Sequence, residues 1–241
     1  MDRKITLASN QAALAFKTWG GRRAGAGRPV GQGRRAAPHR KRIRVKSYQP
    51  QHTTLRLVGD IAKLRRWKIF AEIVVAIRAA QREGFLIAEF SVQDGHLHLI
   101  TEANGWKALS DGTRALSIRI ARALNRVLKR SGRVIADRYH ARSLSTPREV
   151  KNALVYVLQN AKKHFAQRGI AISSDWLDRF SSAGSFRGWN AEARLAAELV
   201  RESWKTHAIA ADDARREART WLLHTGWKRH GLLRASDVPA G

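Results

Sequence analysis

From His52 onward the apolar and polar positions fall into recognisable periods. The stretch HTTLRLV, residues 52–58, alternates with period two and predicts a short strand. WKIFAEIVVAIRAAQRE, residues 67–83, sets Phe70, Ile73, Val74 and Ile77 at i, i+3, i+4 and i+7, the spacing of a helix with one buried face. FLIAEFSVQ and HLHLITEA then return to period two on either side of Asp94-Gly95. That dipeptide is a strong short-range signal for a two-residue hairpin turn. Such a turn sets the register, with Gln93 opposite His96, Ser91 opposite His98 and Glu89 opposite Ile100 on one face. Phe90, Val92, Leu97 and Leu99 share the other face, so one side of the hairpin is apolar and the other carries two histidines.

The period lengthens again in ALSDGTRALSIRIARALNRVLKRSG, residues 108–132. Leu109, Leu116, Ile120, Leu124 and Val127 face inward there, while Arg119, Arg122, Arg126 and Arg130 line another side. RVIADRYHARSL reads as a strand. TPREVKNALVYVLQNAKKH opens with Thr146, Pro147 and Glu149 at the N-cap, first-turn and N3 positions, a capping box with a proline start. Its apolar stripe of Val150, Ala153, Leu154, Val157, Leu158 and Ala161 leaves Asn152, Tyr156, Asn160 and Lys163 on the opposite face. The order strand, helix, hairpin, helix, strand, helix predicts an α+β fold, an antiparallel sheet with helices packed on one face and the other face open. After about Gly169 the pattern weakens. DWLDRFSSAGSFRGW is loop-like, EARLAAELVRESW and ARREARTWLLHTGWKRHG are helical, and five of the eight tryptophans lie beyond residue 175. The expected organisation is therefore a basic arm over 1–46, a principal domain over 47–169 and a helical, tryptophan-rich extension over 170–241, with no internal repeat.

Composition narrows the function. With 44% hydrophobic residues in 241, the chain buries a real core. Lys and Arg number 46 against 19 Asp and Glu, a formal charge of +27, which points to an anionic partner, nucleic acid first. No apolar run approaches the roughly 18 residues that span a bilayer, and no signal-peptide pattern opens the chain, so a cytoplasmic, nucleoid-associated protein with no membrane partner is expected. The first 46 residues hold 13 Lys or Arg and one acid, centred on GGRRAGAGRPVGQGRRAAPHRKRIR. GAGRPV has Val30 where a dinucleotide fingerprint needs its third glycine, so these residues read as a phosphate-tracking arm or a solvated charge run, not a nucleotide loop. The absence of cysteine removes disulfides, thiolate metal sites and cysteine nucleophiles together.

Any metal must then be held by histidine, amide or carboxylate, and that gives HLH its interest. On a strand, residues i and i+2 point the same way, so His96 and His98 can reach one divalent cation. Two solvated surface histidines fit that spacing as well. The neighbours favour chemistry: Gln93, Ser91 and Glu89 lie on the same face, and a later helix carries Tyr156 with Asn160 one turn beyond it. Two imidazoles and an amide oxygen suit Mg or Mn with water left in the shell.

HLH with an apolar middle residue, followed about 60 residues later by the helical YVLQN, resembles the HUH endonuclease superfamily, and within it the single-tyrosine transposases related to REP-associated tyrosine transposases. GRVIADRYHARSL and TPREVKNALVYVLQNAKKH are also similar to family segments, and the resemblance covers residues 47–167. It implies a ferredoxin-like, RRM-like sheet, His96, His98 and Asn160 as metal ligands and Tyr156 as nucleophile. The implied reaction is transesterification of single-stranded or hairpin DNA through a 5′-phosphotyrosine. The tyrosine acts in its own subunit or, in a homodimer, in the partner's. Family relatives often have Asn-Pro where this chain has Asn160-Ala161, a departure that leaves the proposed ligand intact. Arg119, Arg122, Arg126 and Lys163 are candidate backbone contacts or simply a solvated helix face.

Tyr139, beside His140, is a second tyrosine but lacks an amide one helical turn away. His52 and His164 read as lone structural histidines. A non-catalytic nucleic-acid module would use the same sheet as a stacking platform, but the hairpin's polar face offers His, Gln, Ser and Glu instead of aromatics. A hydrolytic phosphoesterase would use the same histidine pair without forming a covalent adduct.

Overall fold

The apolar faces of the central strands demand helices to cover them, and the chain from His52 onward supplies a sheet of four strands. The structure is a computed structural model that describes residues 44–239 apart from 62, 212 and 213, so all but the last three residues of the expected basic arm lie outside the described residues. Strand β1 (Gln51–Arg56) leads to helix α1 (Trp67–Ala80), the hairpin β2 (Phe85–Val92) and β3 (His96–Ala103), helix α2 (Trp106–Val127) and the short strand β4 (His140–Ser143). The sheet order is β2-β3-β1-β4, and all three pairings are antiparallel. The fold class is α+β.

The hairpin takes the register that its turn dictates: Ser91 faces His98, Glu89 faces Ile100, and the Gln93 N–H donates to the His96 carbonyl at 2.9 Å. A bulge between Ile87 and Glu89 inserts Ala88 without a partner. On one sheet face Leu55, Phe90, Leu97 and Leu99 are buried against α1 and α2, with Phe70 of α1 6.3 Å from Phe90, ring centre to ring centre.

The opposite face is covered, contrary to the expectation of an open side. Helix α3 (Pro147–Gln167) crosses it, packing on β2 and β3. The predicted capping box is formed: Thr146 accepts from the Glu149 N–H at 3.2 Å, and the Glu149 carboxylate accepts from the Thr146 N–H at 3.3 Å. Beyond α3 the chain returns over the same face. The Phe180 carbonyl accepts from the Val92 N–H at 2.8 Å, and Ser182 bonds to both the N–H and the carbonyl of Phe90, so the exposed edge of β2 is closed. The described residues belong to one compact unit, and the C-terminal segment is bonded to β2 within it.

That segment has its own core. Trp189, Trp204 and Trp227 are almost fully buried, and Gly188 sits where a Cβ would lie 2.5 Å from the Trp227 ring. Helix α4 (Ala191–Thr206) follows the predicted run. The single helix expected over 214–231 is instead the one-turn α5 (Trp221–His224) and a 3-10 turn, Gly226–His230. The cause is Glu102: its carboxylate accepts from the N–H groups of Arg219 and Thr220 and from the Thr220 hydroxyl at 2.6–2.9 Å, which fixes a helix start at Thr220. Among the described residues no helix is long and apolar enough to cross a membrane.

Candidate active site

The register of β1 against β3 builds the polar end of the sheet. Thr54 pairs with His98 and Arg56 with His96, while His52 lies diagonally across, so five side chains of two strands share one patch. The two nitrogens of His98 are approached separately. Nδ1 lies 3.2 Å from Thr54 Oγ1 and 3.2 Å from His52 Nε2, and Nε2 lies 3.0 Å from His96 Nε2.

Burial sets the protonation. His98, only 5% exposed, is pushed down to about 2 by desolvation, with further lowering from the nearby His96, His52, His164 and Arg56. His96 and His52 are each lowered to about 4, again chiefly by desolvation, His96 with His164 and Arg56 beside it and His52 with Arg142 and His140. All three are therefore neutral imidazoles at neutral pH, each with one bare nitrogen. With the His98 proton on Nδ1, shared with Thr54 and His52, its Nε2 lone pair faces that of His96. Two nitrogens 3.0 Å apart match adjacent ligands of one cation at about 2.1 Å each, an angle of about 90° as in an octahedral shell. Thr54 then acts as the outer partner that fixes the ligand tautomer.

Helix α3 brings the rest. Tyr156, Asn160 and His164 recur at steps of four and form one stripe over the histidines. The Tyr156 ring stands edge-on, 5.0 Å from His98 and 5.3 Å from His52. Asn160, expected on an exposed face, is 1% exposed because that face is turned to the sheet. Its Nδ2 lies 3.4 Å from His164 Nε2, and the His164 ring stands 6.0 Å from that of His96. Among the described residues no three His, Cys, Asp or Glu side chains make a complete metal site. The donor set nevertheless fits a cation: two converging imidazoles, with places left for the Asn160 amide, water and a substrate oxygen.

Grooves lead away on both sides. One of about 450 Å³ is lined by His52, Tyr156, Arg142 and Lys151, and one of about 170 Å³ by His96, His164, Arg65 and Arg168. The remaining candidates divide. Lys163 is half-buried on α3, beside the stripe. Arg119, Arg122 and Arg126 are exposed on α2, which packs against the other sheet face, so the structure does not bring them to the histidines; Arg126 pairs instead with Glu72 at 2.6 Å. Tyr139 packs half-buried against the core. Sequence reasoning left out His52, His164 and Thr54. The period of β1 puts His52, Thr54 and Arg56 on one face, but only the β1–β3 pairing reveals which face that is.

One solved structure similar to this chain is that of a REP-associated tyrosine transposase bound to a REP hairpin, at 15% identity and a TM-score of 0.45, covering 61% of this chain and 82% of that one. No family model and no curated protein matches the chain.

Proposed function

We propose that the chain is a metal-dependent single-tyrosine transposase that cuts and rejoins single-stranded DNA, built on a ferredoxin-like plan. The observation that carries this reading is the placement of Tyr156 edge-on to His98 and His52, with Nε2 of His96 and Nε2 of His98 converging at 3.0 Å. A nucleophile and a cation site then share one phosphate. In this reading residues 47–169 hold the chemistry, 170–241 complete the fold, and 1–46 add phosphate contacts.

The Tyr156 oxygen attacks a backbone phosphorus and forms the new P–O bond, and the bond to the departing 3′ oxygen breaks. The phenol proton leaves and the 3′ oxygen gains one, so a 5′-phosphotyrosine and a free 3′-OH remain. Attack by another 3′-OH reverses the step, and no nucleotide cofactor is consumed. Mg or Mn held by His96, His98 and Asn160 would polarise a non-bridging phosphate oxygen. Arg142 and Lys151 on one side, and Arg168 on the other, sit where they can follow the backbone of the bound strand.

The test is denaturing electrophoresis with labelled single strands and Mn, followed by mass spectrometry of the trapped peptide. Wild type forms a covalent adduct on Tyr156; Tyr156→Phe binds DNA but forms none, and Tyr139→Phe keeps it. An adduct on Tyr139, or strand cleavage without any adduct, overturns the reading, the latter in favour of a hydrolytic phosphoesterase. His96→Ala, His98→Ala and Asn160→Ala each lose Mn binding by calorimetry while keeping most DNA affinity. Deleting residues 1–46 flattens the salt dependence of binding.

A further inference from the structure

A third groove, of about 320 Å³, lies at the other end of the hairpin, where β2 begins and β3 ends. It is lined by Tyr48, Asn104, Arg219 and Trp221, with Phe85 and Leu86 beneath. Tyr48 is 59% exposed and Trp221 50% exposed, two large aromatic surfaces left uncovered in the same groove. Each already has a cation at its ring: Lys46 Nζ lies 5.5 Å from the Tyr48 ring centre, and the Arg229 guanidinium 4.8 Å from that of Trp221.

The indole is held in place from below. A Cβ at Gly226 would come within 2.7 Å of it, so the ring rests on backbone there. The groove's acid, Glu102, is buried, with its oxygens taken up by the N–H groups of Arg219 and Thr220 and by the Thr220 hydroxyl, so it is not presented at the groove surface. Exposed aromatics interleaved with cations, on a chain of charge +27, make the chemistry that takes an unpaired base by its π-face and its phosphate by charge. A peptide or small apolar ligand would have little use for three cations around two rings.

We propose that the Tyr48–Trp221 groove is a stacking site for an unpaired nucleobase of the bound strand. It lies roughly the length of β3, about 23 Å, from His96, so it engages a nucleotide other than the reacting one. The Asn104 amide, exposed at the rim, is placed to meet a base edge. This inference rests on the chain being a single-strand binder and not on the tyrosine chemistry.

The experiment compares binding of labelled oligothymidylate with that of an abasic strand of the same length, which keeps the phosphates and removes the bases. Wild type prefers the base-bearing strand. Tyr48→Ala and Trp221→Ala each reduce that preference about five- to ten-fold while leaving abasic binding nearly unchanged. Trp221→Phe, which keeps an aromatic face, retains most of it. Tyr48 is the more exposed position and gives an independent reading if Trp221→Ala folds poorly. The preference is read with divalent metal chelated, so that it stands whether or not the wild type forms an adduct with Mn, which separates this inference from the catalytic one. Equal binding of the two strands by wild type, or an unchanged preference in the Tyr48→Ala protein, overturns the assignment.

Discussion

The same face of one sheet carries two polar clusters that are finished in different ways, one on β2 and β3 and one on β1 and β3. At the far end, Glu89 is met by Arg215 at 2.8 Å and by the Ser182 hydroxyl at 2.6 Å, and Glu102 collects three donors from residues 219 and 220. At the hairpin end, His52, His96 and His98 meet mainly one another, and burial together with Arg56 and Arg142 disfavours their protonation, with Asp94 opposing this only at His96. A buried group whose bonding capacity is taken up by the protein is committed to holding the fold. A set of neutral imidazoles whose nitrogens meet mainly one another is left with capacity for something that arrives later.

The first way to test this contrast is to break the finished end. Glu89→Ala leaves Arg215, 13% exposed, without its carboxylate, and should cost about 3–5 kcal/mol in denaturant unfolding. The histidine end should answer to pH instead. His52, His96 and His98 have folded values of about 4, 4 and 2 against 6.5 in the unfolded chain. The unfolded state therefore binds more protons below about pH 6.5, so their contribution is fully present above that pH and is lost as pH falls toward 4. Replacing His52 with Gln should flatten the slope of stability between pH 6.5 and 4.5 by up to about 1.4 kcal/mol per pH unit. An unchanged slope would mean that the imidazole is not buried as the contacts require.

Thr54→Val tests the outer partner of His98. It should weaken Mn binding about ten-fold, read by calorimetry, with under about 1 kcal/mol lost in stability. The smallest effect is expected at Arg126→Ala. Its pair with Glu72 is two-thirds exposed on the arginine side, so about 0.2–1 kcal/mol is at stake; a larger loss of DNA binding than of stability would bring the α2 arginines back to the nucleic acid.

What could be read from the chain alone was what is local. The capping box at Thr146 lies within four residues and the Asp94-Gly95 turn within two, so hairpin register and α3 followed directly. The step-of-four stripe Tyr156–Asn160 was legible for the same reason. What covers the polar face was not, because the partners of Phe90 and Glu102 lie at Ser182 and Thr220, 92 and 118 residues away. His52 joined the site by the same kind of distance, 46 residues from His98. Its own segment, HTTLRLV, gives the period but not the neighbour.

The bulge at Ala88 has a consequence for chain length. Ile87 pairs with Thr101 and Glu89 with Ile100, two successive positions of β3, so the extra residue could be deleted with the pairs on either side of it intact. What would go is the Ala88 carbonyl, which accepts from Arg215 Nε at 3.1 Å. Most single-residue deletions in a strand turn one part of it over relative to the other. At this position the loss of one codon should spare the hairpin register and the histidine pair while removing a point of attachment for the returning chain, so the two parts of the molecule can be separated genetically at a single site.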